Sequence, residues 1–445
     1  MHTDNEKNKS GFSRRDFVKS TALLAGGTLL SQLPVEASAY VAGDDTIKVA
    51  VVGCGGRGTG AVAQALSTQG KVKLVAMADA FRDRLDESFN NLSQKFPGKE
   101  KISVPESNKF VGFDGYKKAI ALADVVILAT PPGFRPIHFE EAVKAGKHVF
   151  MEKPVATDAP GVRRVLAAAE EAKKKNLSVV VGLQRRYQLH YRDAMRRMKE
   201  ENAIGEIISG QVYWNDAGVW VKQRQPSQTE MEYQMRNWYY FTWLCGDHIL
   251  EQHIHNIDVV NWLKDGYPVS AQGMGGRQVR TGKEYGEIFD HHFVEFTYGD
   301  GAVIASQCRH QEGCMRKVAE DFQGTKGRIN LADGGKAIIT DLKGNQIWRH
   351  RADNDPNPYQ VEHDELFASI RNKKPINDAE YGAKSTMTAI MGRMATYSGQ
   401  VIKWDEALNS EISLMPQTFA WDAPAPVKPD ENGFYAVPTP GKFKV

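Results

Sequence analysis

The sequence predicts an α/β protein: an N-terminal doubly wound parallel sheet, then an α/β domain on a large, open, mostly antiparallel sheet. Three observations carry this. First, a β-branched apolar run at 46–52 leads straight into Gly53-Cys54-Gly55-Gly56-Arg57-Gly58 and a helical pattern. That is G-x-G-x-x-G in a strand–turn–helix setting. Second, strand and helix patterns alternate as far as about residue 184, as a parallel sheet with crossover helices requires. Third, beyond residue 265 the pattern turns to short strands, with Gly299-Asp300-Gly301 joining 289–298 to 302–309 as a hairpin.

The first 39 residues stand apart. Ser13-Arg14-Arg15-Asp16-Phe17-Val18-Lys19 precedes a weakly apolar stretch at 21–33, and Ala37-Ser38-Ala39 follows. A basic start, modest apolar centre and A-x-A end make a cleaved export signal, and paired arginines before an aromatic residue resemble the twin-arginine type. The expectation is export to a periplasm with cleavage after Ala39. No later run is long and apolar enough for a membrane helix.

In 445 residues, 57 Lys and Arg face 54 Asp and Glu, a formal charge of +3. That balance argues against a protein that tracks nucleic-acid phosphates. Cys54, Cys245, Cys308 and Cys314 form no CxxC pair, so no zinc ribbon is expected, and a Cys308–Cys314 link stays open.

Within the glycine loop, Gly53 allows the tight turn, Gly55 lets backbone approach a pyrophosphate, and Gly58 lets helix and strand pack closely. Gly56 and Arg57 share the loop, and the helix start offers free N–H groups to phosphates. A second strand at 73–78 ends at Asp79, 21 residues after Gly58. A carboxylate there accepts hydrogen bonds from the ribose hydroxyls and repels a 2′-phosphate, favouring NAD. Arg57 and Arg82 keep NADP open, and the plainer reading of Asp79 is a helix N-cap. A helix at 116–122, a strand at 124–130, a helix at 137–145 and a strand at 148–151 follow. Ligands bind at the carboxyl ends of such strands, which places Thr130, Pro131, Glu152 and Lys153 at the cofactor.

Val-Val-Gly-Cys-Gly-Gly-Arg-Gly, Ala-Thr-Pro-Pro, Ala-Gly-Lys-His-Val-Phe-Met-Glu-Lys-Pro and a later His-Asn-Ile-Asp together resemble the Gfo/Idh/MocA oxidoreductases, from about residue 46 to residue 405. The resemblance implies a Rossmann domain at 46–184 and a substrate-binding and oligomerisation domain at 185–405, with a homodimer or homotetramer as the assembly. It places Lys153 beside the nicotinamide and the reacting hydroxyl. It also implies an acid four residues before a histidine, here Glu251 and His255, where the family carries Asp in place of Glu251.

At about 100° per residue, Asp247, Glu251, His255 and Asp258 share one stripe of a single helix, with His248 at its edge. The rest of that helix is apolar, so the stripe either lines a cavity or forms a satisfied core network. The cavity reading makes His255 a base, Lys153 an electrostatic stabiliser and Glu251 the group that orients His255 or a substrate hydroxyl. Arg185 and Tyr187, entering the second domain, and Trp238 and Tyr239, in an aromatic run, are further substrate candidates, with Asp247 and His248. Hydride transfer needs no metal here, and none is expected.

Strands are also expected at 318–323, 327–331 and 337–340, and helices at 361–372 and 384–401. The tail at 406–445, with six prolines from Pro416 onward, reads as an extended arm. The expected function is an exported oxidoreductase acting on a ring alcohol of a sugar, glycoside or cyclitol, with tightly bound NAD. A redox-neutral NAD-dependent glycosidase or lyase is the second reading, and a non-catalytic sugar-binding subunit that holds NAD the third.

Overall fold

A computed structural model describes residues 45–332 and 334–445; the leader at 1–39 lies outside the described residues. A six-stranded parallel sheet contains β1 (Ile47–Val52), β2 (Val72–Asp79), β3 (Lys109–Val111), β4 (Val125–Leu128), β5 (His148–Met151) and β6 (Val179–Val181), in the order β3-β2-β1-β4-β5-β6. The order reverses beside β1, which puts the ligand crevice at the carboxyl ends of β1 and β4. β1 and β4 are almost wholly buried, as strands covered on both faces must be. Helices α1 (Gly56–Ala65), α2 (Arg82–Lys95), α3 (Gly115–Ala121), α4 (Arg135–Lys144) and α5 (Ala159–Lys174) complete this half.

After a single 3-10 turn at Gln184–Tyr187 comes α6 (Leu189–Lys199), and then β7 (Ile207–Asp216). Four helices follow: α7 (Glu230–Arg236), α8 (Thr242–Cys245), α9 (His248–Glu251) and α10 (Ile254–Lys264). The second sheet adds β8 (Ser270–Gly276), β9 (His291–Thr297), β10 (Val303–His310), β11 (Lys317–Gly324), β12 (Gly327–Ala332), β13 (Lys336–Asp341) and β14 (Gln346–Arg349). Helices α11 (Pro358–Arg371) and α12 (Ala379–Ser398), the short strand β15 (Ile402–Lys403) and α13 (Trp404–Leu408) end the regular structure.

The second sheet has nine strands, and only β7 and β10 pair in parallel. The expected hairpin is present, with β9 and β10 antiparallel across Gly299-Asp300-Gly301. β9 and β10 alternate buried and half-exposed residues, as strands with helices on one face do. The central strand β7 was not foreseen, because its polar residues at Ser209, Gln211 and Asn215 dilute the alternation.

Two findings adjust the linear picture. Helix α11 packs Leu366 and Phe367 into the core of the N-terminal sheet, so the chain returns to its first half late in the sequence. The expected single helix over 247–263 is broken. Asp247 sits at φ +77 as an N-cap, α9 lasts one turn, and α10 starts afresh after Gln252 and His253. The 100° spacing therefore does not run through, and the four acidic and imidazole groups turn to different neighbours.

Candidate active site

The glycine loop does what its three glycine positions demand. A Cβ on Gly53 would meet the Ala129 carbonyl carbon at 2.5 Å, and one on Gly58 would meet the Gly53 oxygen at 1.9 Å. Those two glycines serve close packing. Gly55 and Gly56 have nothing within 4 Å of an added Cβ. Open space thus lies above the backbone that opens α1, a cradle of the kind a diphosphate fills. A cleft of about 590 Å³ begins there, lined by Gly53, Gly55, Gly56, Arg57, Asp79, Thr130 and Pro131, and it reaches Trp220 and Trp238 of the second domain. The residues present fit a bound dinucleotide.

Asp79 lines this cleft, and its carboxylate also braces the loop. Oδ2 accepts the Cys54 N–H at 2.6 Å and Oδ1 the Phe81 N–H at 2.9 Å. The cap reading is not met: the N-cap of α2 is Phe81, with no side-chain cap hydrogen bond, and Asp79 lies two residues before it. Burial raises the Asp79 pKa against those two hydrogen bonds. Thr130 is fixed by Arg135, which donates to both its hydroxyl and its carbonyl and also to the Glu152 carbonyl at 2.9 Å.

Arg57 lines the cleft and is also engaged by acids. Its guanidinium pairs with Glu152, and with Glu362 of α11 at 3.1 Å, and stacks over the Tyr359 ring at 4.8 Å. Burial lowers its pKa, but the two carboxylates outweigh that and raise it. Buried Glu362 has its own pKa pushed well up, first by burial and then by Glu152. Arg57 and Glu152 therefore tie the glycine loop to α11, and their charges answer each other before any phosphate.

Lys153 follows β5 at its carboxyl end. Its ammonium donates to the Glu251 carbonyl and, at 3.1 Å, to Glu251 Oε1. The two side chains remain 13% and 17% exposed, so the pair faces open space. Glu251 was expected to orient His255 or a substrate hydroxyl; its carboxylate engages Lys153. His255 stacks on Trp214 at 5.8 Å, and its Nδ1 has no hydrogen-bond partner. Burial, and then the nearby Lys153 and Arg185 cations, hold its pKa well below the ordinary value. Neutral His255 can accept a proton near pH 7.

Four substrate candidates are placed elsewhere. Asp247 is wholly buried, and both its oxygens are filled: Oδ1 by the His248 ring at 2.8 Å, Oδ2 by the Phe289 N–H at 3.0 Å, the Tyr397 hydroxyl at 2.5 Å and the His292 ring at 3.2 Å. Burial opposes its ionisation, but His292 and His248 hold its pKa well below the usual range. Asp247, His248 and His292 bring possible metal-ligand atoms within 4.8 Å of one another, yet they already bond among themselves. His248 is sealed in the same hub and stacks on His310 at 4.3 Å. Arg185 is buried against Glu320, which also accepts from Tyr191 at 2.8 Å and Asn256 at 2.6 Å. Tyr187 donates to buried Asp378 at 2.6 Å. Each is a packed core contact, so none of the four reaches the cleft. Asp258 is likewise taken, by a bidentate Arg186 at 2.8 Å.

The aromatic pair divides. Trp238 lines the cleft. Tyr239 is buried, stacks on His310 at 5.8 Å, and carries a hydroxyl with no partner. Sequence reasoning missed His292, His310, Tyr397, Glu320 and Glu362, all separated in sequence from the groups they serve. The four cysteines are free, with Cys308 buried and Cys314 exposed.

Comparison with known proteins agrees with this geometry. The family model described as "Oxidoreductase family, NAD-binding Rossmann fold" matches residues 47–181, and that of the "GFO/IDH/MocA C-terminal domain" matches residues 193–330. An inositol 2-dehydrogenase of Rhizobium meliloti (strain 1021) is 26% identical over 288 residues, 64% of this chain and 75% of the relative. A glycosyl hydrolase family 109 protein of Shewanella pealeana is 26% identical over 237 residues, 49% of each chain. Among solved structures, the aldose-aldose oxidoreductase of Caulobacter crescentus complexed with glycerol superposes with a TM-score of 0.63 at 19% identity, covering 80% of this chain and 99% of that one. The scyllo-inositol dehydrogenase of Lactobacillus casei with bound NAD(H) and scyllo-inositol gives 0.60 at 20% identity, covering 81% and 99%.

Proposed function

The chain belongs to the Gfo/Idh/MocA oxidoreductase family, and from that premise we propose that it is an exported, NAD-dependent dehydrogenase. Its substrate is a ring secondary alcohol of a sugar, glycoside or cyclitol, and its cofactor stays bound. The observation that carries this reading is the mostly buried Lys153–Glu251 pair at the carboxyl edge of the parallel sheet, within electrostatic reach of a neutral His255 whose Nδ1 is unpaired.

Bound NAD supplies the hydride acceptor. His255 takes the hydroxyl proton at an imidazole nitrogen. Lys153 donates to the same substrate oxygen and stabilises the alkoxide character that develops as the proton leaves. Glu251 holds the Lys153 ammonium in place through its carbonyl and carboxylate. The unpaired Tyr239 hydroxyl serves a neighbouring substrate hydroxyl. Asp79 favours NAD over NADP, because a carboxylate there repels a 2′-phosphate.

Export is supported by Arg14-Arg15, the apolar stretch at 21–33 and Ala37-Ser38-Ala39. Outside the cytoplasm a resident cofactor must be recycled in place, by a second substrate or a redox-neutral cycle. Similarity to a glycosyl hydrolase family 109 protein favours that cycle as the second reading. A homodimer or homotetramer is proposed with it, supported by the half-exposed outer face of the nine-stranded sheet.

Mass spectrometry of denatured protein, with a glycoside and cyclitol panel and no added cofactor, tests these readings. A keto product with reduced bound cofactor supports the dehydrogenase, and released sugar supports the glycosidase. Protein without dinucleotide, and no conversion of any panel member even with NAD added, would sink both.

A further inference from the structure

The second domain contributes Trp220, Lys222, Met235, Arg236 and Trp238 to the wall of the cleft that holds the glycine loop and Asp79. The lining is cationic, with Arg57, Arg84, Lys222 and Arg236 against the single carboxylate of Asp79. Three of these cations already have acids. Arg57 pairs with Glu152 and Glu362, Arg84 with Glu87 at 3.3 Å, and Arg236 with Asp83 at 2.7 Å. Lys222 has no ion pair among the described residues, and its ammonium stands 6.0 Å from the Trp220 ring.

The rim of the same cleft is bridged. Arg236, ending α7, reaches across the domains to bind Asp83 with both terminal nitrogens, at 2.7 and 2.9 Å, and lies 3.7 Å over the Phe81 ring. Trp421 of the C-terminal arm meets Phe81 at 5.0 Å and Phe113 at 4.5 Å, and Phe419 meets Phe134 at 5.3 Å. The arm is bonded to α7 as well: Gln234 donates to the Val427 carbonyl at 2.6 Å, and the Tyr435 hydroxyl to Glu230 at 2.5 Å. Phe81, Phe113 and Phe134 line the cleft. Arm, α7 and rim are therefore joined in one continuous set of contacts beside the cleft.

We propose that the dinucleotide site is completed by the second domain, with Lys222 as counter-charge to the diphosphate and the Arg236–Phe81–Trp421 clasp preventing its exchange between turnovers. The proposal rests on the NAD-dependent reading above. An ammonium in the same cleft as the N-terminus of α1, with no acid of its own among the described residues, is free to neutralise a diphosphate held there. The clasp joins an ion pair, a cation–π contact and an aromatic pair, and all three must open together for the cofactor to leave.

Purified holoenzyme is mixed with excess isotope-labelled NAD without saccharide, and the bound unlabelled dinucleotide is followed by mass spectrometry. Exchange at least about tenfold slower than one turnover is expected for the natural chain. Lys222→Met and Trp421→Ala should each speed it by roughly ten- to a hundredfold, the weight of a charge-assisted contact, and Lys222→Arg should restore slow exchange. Arg236→Gln opens the same clasp from the other side and replaces Trp421→Ala if that variant misfolds by circular dichroism. Exchange within one turnover in the natural chain overturns the proposal. So does a folded Lys222→Met, or a folded clasp variant, that exchanges at the natural rate. Saccharide oxidation at added NAD with free exchange sinks this inference alone; no dinucleotide and no oxidation sinks the reading beneath it.

Discussion

Asp247 and Glu251 lie one helical turn apart in sequence and belong to opposite kinds of site. Asp247 is sealed, its two oxygens filled by backbone, phenol and imidazole donors. Glu251 is partly open, and its one side-chain partner is the ammonium of Lys153, itself partly open. Buried polar groups are satisfied in native proteins, and exceptions gather where a ligand completes the set. Asp247 is thus part of the packed scaffold, while part-exposed Lys153 and Glu251 and the unpaired Nδ1 of His255 leave the groups that the proposed function uses.

Substitutions can break that contrast. The largest effect is expected from Asp247→Ala, which strips Tyr397, His292 and the Phe289 N–H of their shared acceptor. A loss of about 3–5 kcal/mol in folding stability should appear in urea titrations; near-natural stability with abolished turnover would instead move Asp247 into the site. Lys153→Met should do the reverse, lowering kcat by about 10²–10³-fold while the urea midpoint stays put. Next comes Glu251→Gln. It keeps the backbone acceptor for Lys153 and loses only the charge, so kcat should fall by roughly tenfold with KM little changed.

Acidity sharpens the contrast with the smallest effect near neutral pH. Burial depresses His292 to about 4 and His253 and His138 to about 3. Below about pH 6.5 the unfolded chain binds protons that the folded chain refuses, so stability should be constant above 6.5 and fall as pH drops toward 4 and then 3. Melting temperatures against pH check this. Since His255 is also depressed, the acid limb of kcat/KM should lie below pH 6.5 and overlap that unfolding. An acid limb at 6.5 or above would mean another group is the base.

The N-terminal half was the more legible region. Gly53 to Gly58, Asp79 and Glu152-Lys153 each state their role within a few adjacent residues, and the strands around them are continuous apolar runs. The substrate half was read from a helical wheel, and that wheel assumed a helix which Asp247 interrupts by taking a positive φ. Arg185 and Tyr187 were placed at substrate from the resemblance of their segment, and Asp247 and His248 from the helical wheel. Their partners lie far along the chain, Glu320 135 residues from Arg185 and Tyr397 150 from Asp247, and no local pattern announces such pairings. Arg57 lines the cleft as expected, but its second acid, 305 residues away on α11, was equally invisible in the sequence. Lys153 and His255 were named from motifs that encode position, and the catalytic roles given to them are proposals that the substitutions above test.

The contact between Phe81 and Trp421 bears on how the molecule is made. The floor of the cleft is encoded early and the ring that shuts it late, so synthesis from the N-terminus yields a nascent chain with a formed but unroofed crevice. Loading of the crevice can precede the arrival of its cover. A product truncated before the arm keeps the glycine loop, Lys153 and His255, yet lacks the segment that finishes the enclosure. Under the proposed clasp, a chain lacking the arm would bind the dinucleotide and release it more readily than the full chain.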